Sequence, residues 1–214
     1  MRTKRVPNTY VAFSSGRLLA RGPILDVAKA AKEATDAGAP RAVQVFHDVT
    51  AHPVDLDLGG SLDDVLIRVR HRDDLADDDS VAPDQAVATA RAERPVRHGP
   101  GRPRLGVVAR EVTLLPRHWE WLADQPGGAS AALRRLVDEA RATYAVRDEL
   151  RRARDAVYRF LLATLGDAYG FEEAMRALWA NDEDKFIAES APWPPDLRTQ
   201  ALRLARAAFH PQER

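Results

Sequence analysis

From Val107 to Leu165 the chain carries the punctuation of a strand, a short helix, a tight turn and a longer helix, in that order. Val107–Leu115 reads as an alternating run, the mark of a half-buried strand. Pro116 comes next, at a helix first position where its missing N–H loses no hydrogen bond. The segment Arg117–Gln125 is rich in aromatic residues, and Trp119 and Leu122, three apart, share a helix face. Gly127-Gly128 permits a sharp turn. No proline or glycine interrupts the chain from Ala129 to Leu165. Leu133, Leu136, Val137 and Ala140 form an apolar stripe at helical spacing, and the helix either runs long or breaks near Tyr144.

The segment before this stretch reads as a small α+β domain over residues 9–71, with the order ββαββα. Thr9–Ser14 is strand-like, Ser15-Gly16 turns the chain, and Arg17–Ala20 returns as the second arm of a hairpin. Gly22-Pro23 opens a helix at Ile24, whose apolar positions Ile24, Val27, Ala28 and Ala31 follow helical spacing up to a stop at Gly38-Ala39-Pro40. Arg41–Phe46 and Pro53–Leu58 are predicted strands. Val54, Leu56 and Leu58 alternate with Asp55 and Asp57. Ser61 caps a last helix, Leu62–Arg70, with Asp63 and Asp64 in its first turn. These elements predict a four-stranded antiparallel sheet with helices on one face.

Residues 72–103 read as a charged, proline-rich linker, acidic at its start and basic at its end. After residue 143 the pattern is helical to the end of the chain. Leu150, Val157 and Leu161 continue an apolar stripe, and Phe171–Ala180, Asp182–Ser190 and Pro195–Phe209 are three short helices. Asn181 is the expected cap of the second. Trp179, Phe186, Trp193 and Phe209 are the expected aromatic core of this part.

Composition and motifs exclude most chemistries. The formal net charge over 214 residues is zero, so any attraction to nucleic acid must come from local charge. Without cysteine the chain has no disulfide and no thiolate site. No apolar run approaches the ~20 residues that cross a bilayer, and the basic N-terminus lacks the apolar segment of a secretory signal, so the expected location is the cytoplasm. Phosphate-cradling, nucleophile-elbow and zinc-protease patterns are absent from the sequence. His47, Asp48, His52, Asp55 and Asp57 lie within eleven residues. They read as a polar hairpin loop followed by the solvent face of a strand, not as a metal centre. No enzyme, cofactor or metal site is expected.

Two resemblances add to this reading. The order strand, helix, turn, helix over residues 104–143 resembles the ribbon-helix-helix DNA-binding module. That family pairs one strand from each of two subunits and inserts the ribbon into the major groove. The resemblance implies a homodimer bound to double-stranded DNA. It places the base-reading positions on Arg110, Val112 and Leu114, with Arg104, Ser130, Arg134 and Arg135 near the phosphates. Val112 and Leu114 are aliphatic and cannot hydrogen-bond to base edges, so either the ribbon reads sequence poorly or the module dimerises without reading DNA. Gly101-Arg102-Pro103 resembles the core of an AT-hook, which would lay Arg102 in a narrow minor groove. Pro100 stands where that motif has a second arginine.

The second resemblance covers most of residues 9–209. The run REVTLLPRHWEWLADQPGGASAALRRLVDEAR, the N-terminal YVAF, RGP, VFHD and VDLDLGGSLDDVL, and the C-terminal GFEEAMRALWANDEDKFIA resemble the bacterial family known as domain of unknown function 2239. It implies one architecture for the chain and no established activity. The expectation is therefore an α+β protein with an N-terminal ββαββα domain (9–71), a linker (72–103), a ribbon-helix-helix-like module (104–143) and a helical C-terminal region (144–214). Its two candidate roles are a DNA-binding, transcription-regulator-like homodimer and a homodimeric structural or protein-interaction module.

Overall fold

A computed structural model describes residues 8–39, 42–78 and 110–211. The chain divides into two compact units, one of residues 1–79 with 143–214 and one of residues 80–142. The first unit opens with a β-hairpin, β1 (Tyr10–Ser14) and β2 (Arg17–Gly22). Ser15 and Gly16 have φ of 50° and 80°, the paired positive values of a turn whose twist matches the strands it joins. Helix α1 (Ile24–Asp36) follows, then β3 (Gln44–His47), which pairs antiparallel with β1 to give the strand order β2-β1-β3. Helix α2 runs Leu62–Asp78, beyond the expected end at Arg70.

The alternation of β1 splits its side chains between two cores. Ala12 packs with Val27 of α1 and Val45 of β3. Val11 and Phe13 point the other way and join Phe46, Phe160, Leu161, Leu178, Leu197 and Leu204. The sheet is thus covered on both faces within this unit, where the sequence predicts helices on one. The second cover comes from the later part of α4 (Gly128–Leu165), α5 (Phe171–Ala180), α6 (Glu183–Glu189) and α7 (Pro195–Phe209). Phe160 is fully buried and packs against Phe13 at a tilt and against Phe46 edge-on, with ring centroids 5.6 and 5.4 Å away.

Three further expectations for this unit change. Pro53–Leu58 is not a strand and makes one isolated bridge, Pro53 to Phe46. Val54, Leu56 and Leu58 are partly buried against Ile24, Ala28, Val65 and Val69, so their alternation serves the packing of an extended segment over α1 and α2. The cap of α6 is Asp182, whose carboxylate accepts from Lys185 N at 3.0 Å. Asn181 instead ends α5 in the left-handed conformation, which its short polar side chain tolerates. Trp179 is half exposed and lies outside the aromatic core; Phe186 meets Trp193 and Phe209 in edge-to-face pairs.

The second unit holds α3 (Pro116–Ala123) and the start of α4. Residues 110–115 form no strand, and 107–109 lie outside the described residues. An extended segment becomes a strand only by pairing, and among the described residues no strand pairs with residues 110–115. Helix α4 is continuous through Tyr144 to Leu165. Among the described residues, no helix is long and apolar enough to cross a membrane.

Candidate functional site

Chain punctuation builds the α3–α4 hairpin of the second unit. Leu115 caps α3 in an extended conformation, and its carbonyl accepts from His118 N at 2.8 Å. Gln125 closes the turn by accepting from Gly128 N at 3.0 Å, with Gly127 and Gly128 at φ of 82° and 75°. Leu122 and Ala132 are the buried points of the hairpin. Beside them lies a hollow of about 270 Å³, lined by Leu114, His118, Trp121, Leu122, Leu133 and Leu136. That is under the roughly 300 Å³ at which small-molecule sites begin, and its lining is almost wholly apolar. Around it Val112, Leu115, Trp119, Trp121 and Val137 are 43–56% exposed. Every residue of α4 from Arg134 to Ala142 is exposed. Among the described residues, Leu136 and Val137 are large apolar side chains left on the surface of this stretch of α4.

The expected DNA-contact residues scatter over this unit. Arg110 and Val112 are exposed in a non-regular segment, Leu114 is turned into the hollow, and Ser130, Arg134 and Arg135 are exposed on α4. Arg102 and Arg104 lie outside the described residues. Residues 110–142 carry five Arg and five Asp or Glu. The local charge is therefore balanced, where phosphate binding calls for a positive excess.

A second centre, in the first unit, was not anticipated. Asp48 follows β3 and is only 5% exposed. Its carboxylate lies 3.6 Å from Arg21 Nε and is bound by Arg203 Nη2, which also donates to the Asp48 carbonyl at 2.6 Å. Gln200 is fully buried. It donates to the Asp48 carboxylate at 3.4 Å and accepts from Arg21 at 2.5 Å and Arg203 at 3.3 Å. Burial lowers the Arg203 pKa most; Asp48 opposes this and Arg21 adds to it. Two guanidinium groups thus share one buried carboxylate. The sequence predicts a solvated loop at Asp48 because hairpin loops are usually polar, and its partners Gln200 and Arg203 lie more than 150 residues away.

His47 organises the same loop. Its Nδ1 accepts from Val49 N and Thr50 N, both at 3.2 Å, and its Nε2 faces Asn8 Oδ1 at 3.1 Å. This geometry assigns the neutral ring with its proton on Nε2. Burial lowers the His47 pKa, against the charge of Asp48 and with a smaller push from His52. The His52 pKa is lowered too, by burial and then by Arg159. Both rings are therefore protonated more readily in the unfolded chain than in the fold. Stability from them is fully present above the unfolded histidine pKa of about 6.5, and is lost as pH falls below it through the lower folded values. Urea midpoints should fall from about pH 7.5 to about pH 5.5, and His47→Gln should show a smaller drop than the wild type. An equal drop in both proteins would exclude His47 as a source. Asp55 and Asp57 lie apart from this loop cluster, Asp57 facing Arg68 at 3.2 Å. Among the described residues, no three His, Asp or Glu side chains are grouped to hold a metal ion.

A three-stranded sheet between helical layers, with a separate helical hairpin unit, defines a mixed α+β protein. The chain belongs to the family described as "Uncharacterized protein conserved in bacteria (DUF2239)", whose model matches residues 9–205. No curated protein and no solved structure matches it.

Proposed function

We propose that the protein is a homodimeric, non-enzymatic association module whose two copies join through the α3–α4 hairpin. The observation that carries this reading is the charge order of α4. Arg134 and Arg135 precede the exposed pair Leu136-Val137, and Asp138 and Glu139 follow it. A two-fold interface requires a self-complementary surface. Two antiparallel copies of α4 crossing at Leu136-Val137 set Arg135 of each against Asp138 of the other. The apolar side chains at the crossing then meet the partner's hollow, in which Trp121 is the large aromatic anchor. A DNA-reading role draws less support, from balanced charge and from aliphatic residues at two of three expected reading positions.

Light scattering over a dilution series should give twice the 23.7 kDa chain mass. The double variant R134E/R135E places acid against acid and should be monomeric at micromolar concentration. Adding D138R sets an opposite charge against position 135 of the other copy and should restore the dimer. A monomeric wild type, or a double variant that keeps the wild-type mass, overturns the reading. Binding of duplex DNA at about 50 mM salt, weakening steeply as salt rises, would favour the DNA-binding role instead.

A further inference from the structure

The cluster at Asp48 borders open space. Two adjoining hollows, of about 480 and 420 Å³, share Glu149 and Ala207 as lining residues. Each lies within the ~300–1,000 Å³ of small-molecule sites. The first is lined by Arg203, Arg206 and His210 with the two shared residues. The second is largely apolar, with Val49, Ala145, Ala153 and Leu204, and Thr50 and Arg152 also line it. Helical spacing explains the grouping. Ala145, Glu149, Arg152 and Ala153 lie three or four apart on α4, as do Arg203, Arg206, Ala207 and His210 along α7 and its C-cap.

The charges do not balance here. Arg203 with its neighbour Arg21 shares the single carboxylate of Asp48, which leaves one positive charge. Arg152 and Arg206 add two more, and among the described residues neither has an ion-pair partner. Glu149 removes one, and His210 is turned to Glu183 at 2.9 Å. The cleft therefore holds an excess of two positive charges beside an apolar wall. Asp48 and Gln200 hold the Arg203 side chain in place, so little of its rotamer freedom is lost on meeting a ligand.

We propose that this cleft binds a phosphate monoester, its dianion held by Arg152, Arg203 and Arg206 and its organic group set against Val49, Ala153 and Leu204. The forks of Arg152 and Arg206 match phosphate oxygens in pairs, Arg203 adds its Nη1 because its Nε and Nη2 already donate to Gln200 and Asp48, and two charges match a dianion. The site is independent of the hairpin, so dimerisation can fail without affecting it.

Phenyl phosphate is the test ligand, titrated into the full chain by calorimetry at constant ionic strength. Inorganic phosphate should bind at least about tenfold more weakly, since it lacks the ring. R152A/R206A should lose at least about tenfold in phenyl phosphate affinity while its thermal midpoint stays at the wild-type value, both side chains being exposed. In nitrogen-15 spectra the shifted amides should cluster at Thr50, Ala153 and Ala207. Absence of binding by phenyl phosphate at about 10 mM, a weak-binding limit, equal affinity of R152A/R206A, or shifts confined to other regions overturns the proposal.

Discussion

Replacing Asp48 with Ala is expected to destabilise the first unit by about 3 kcal/mol, because it leaves two guanidinium groups and Gln200 around a site with no negative charge. The figure sits at the low end for a broken buried pair. Arg21 and Arg203 each keep about a third of their side-chain surface in water, 35% and 37%, which screens the orphaned charge. The substitution also removes an anchor between β3 and α7, since Arg203 and Gln200 both reach Asp48 from that helix. Urea unfolding of D48A, R203M and the double variant forms a thermodynamic cycle. The double variant should be less destabilised than the sum of the singles by at least about 1 kcal/mol. Additive losses would mean that the pair does not act as a unit. D48N keeps the shape and loses the charge, and its stability should fall between wild type and D48A.

Phe160→Ala should cost more, about 3–5 kcal/mol, the range for a buried aromatic reduced to a methyl group. Phe160 has no exposed surface and contacts the ring edges or faces of Phe13 from β1 and Phe46 from β3. The cavity would open where the sheet meets α4, and neither the strands nor the helix can close it without losing other contacts. Phe160→Leu retains most of the buried volume and should lose much less, although it forfeits the aromatic pairs. The check is the urea midpoint at fixed slope. A loss under about 1 kcal/mol for F160A would show that the sheet face can collapse onto α4, contrary to the packing described.

Local chemistry was legible from residues alone. The Ser15-Gly16 hairpin follows from the turn it must make, and α5 and α7 begin where Gly170 and Pro194-Pro195 interrupt the chain. The start of α3 at Pro116 and the turn at Gly127-Gly128 are local in the same sense. Pairing was harder to read. Pro53–Leu58 alternates as a strand would, yet the same alternation suits an extended segment half covered by helices, and only the availability of a partner edge separates the two. The same ambiguity underlies the predicted strand Val107–Leu115, whose described residues 110–115 form none. The self-complementary charge order around Leu136-Val137 was present in the sequence, but it acquires meaning only once that face of α4 is seen to be bare.

The sequence by itself determined where helices and turns can start and stop, because caps, prolines and positive-φ glycines act within a few residues of chain. Only the tertiary structure decided that the second face of the sheet is covered by helices lying more than a hundred residues later, and that Asp48 is buried between Arg21 and Arg203. A loop aspartate and a core aspartate are the same letter. What distinguishes them is the set of partners that folding brings to the carboxylate. Burying it becomes tolerable when two guanidinium groups and an amide converge on it, and no pattern of neighbours along the chain specifies that convergence.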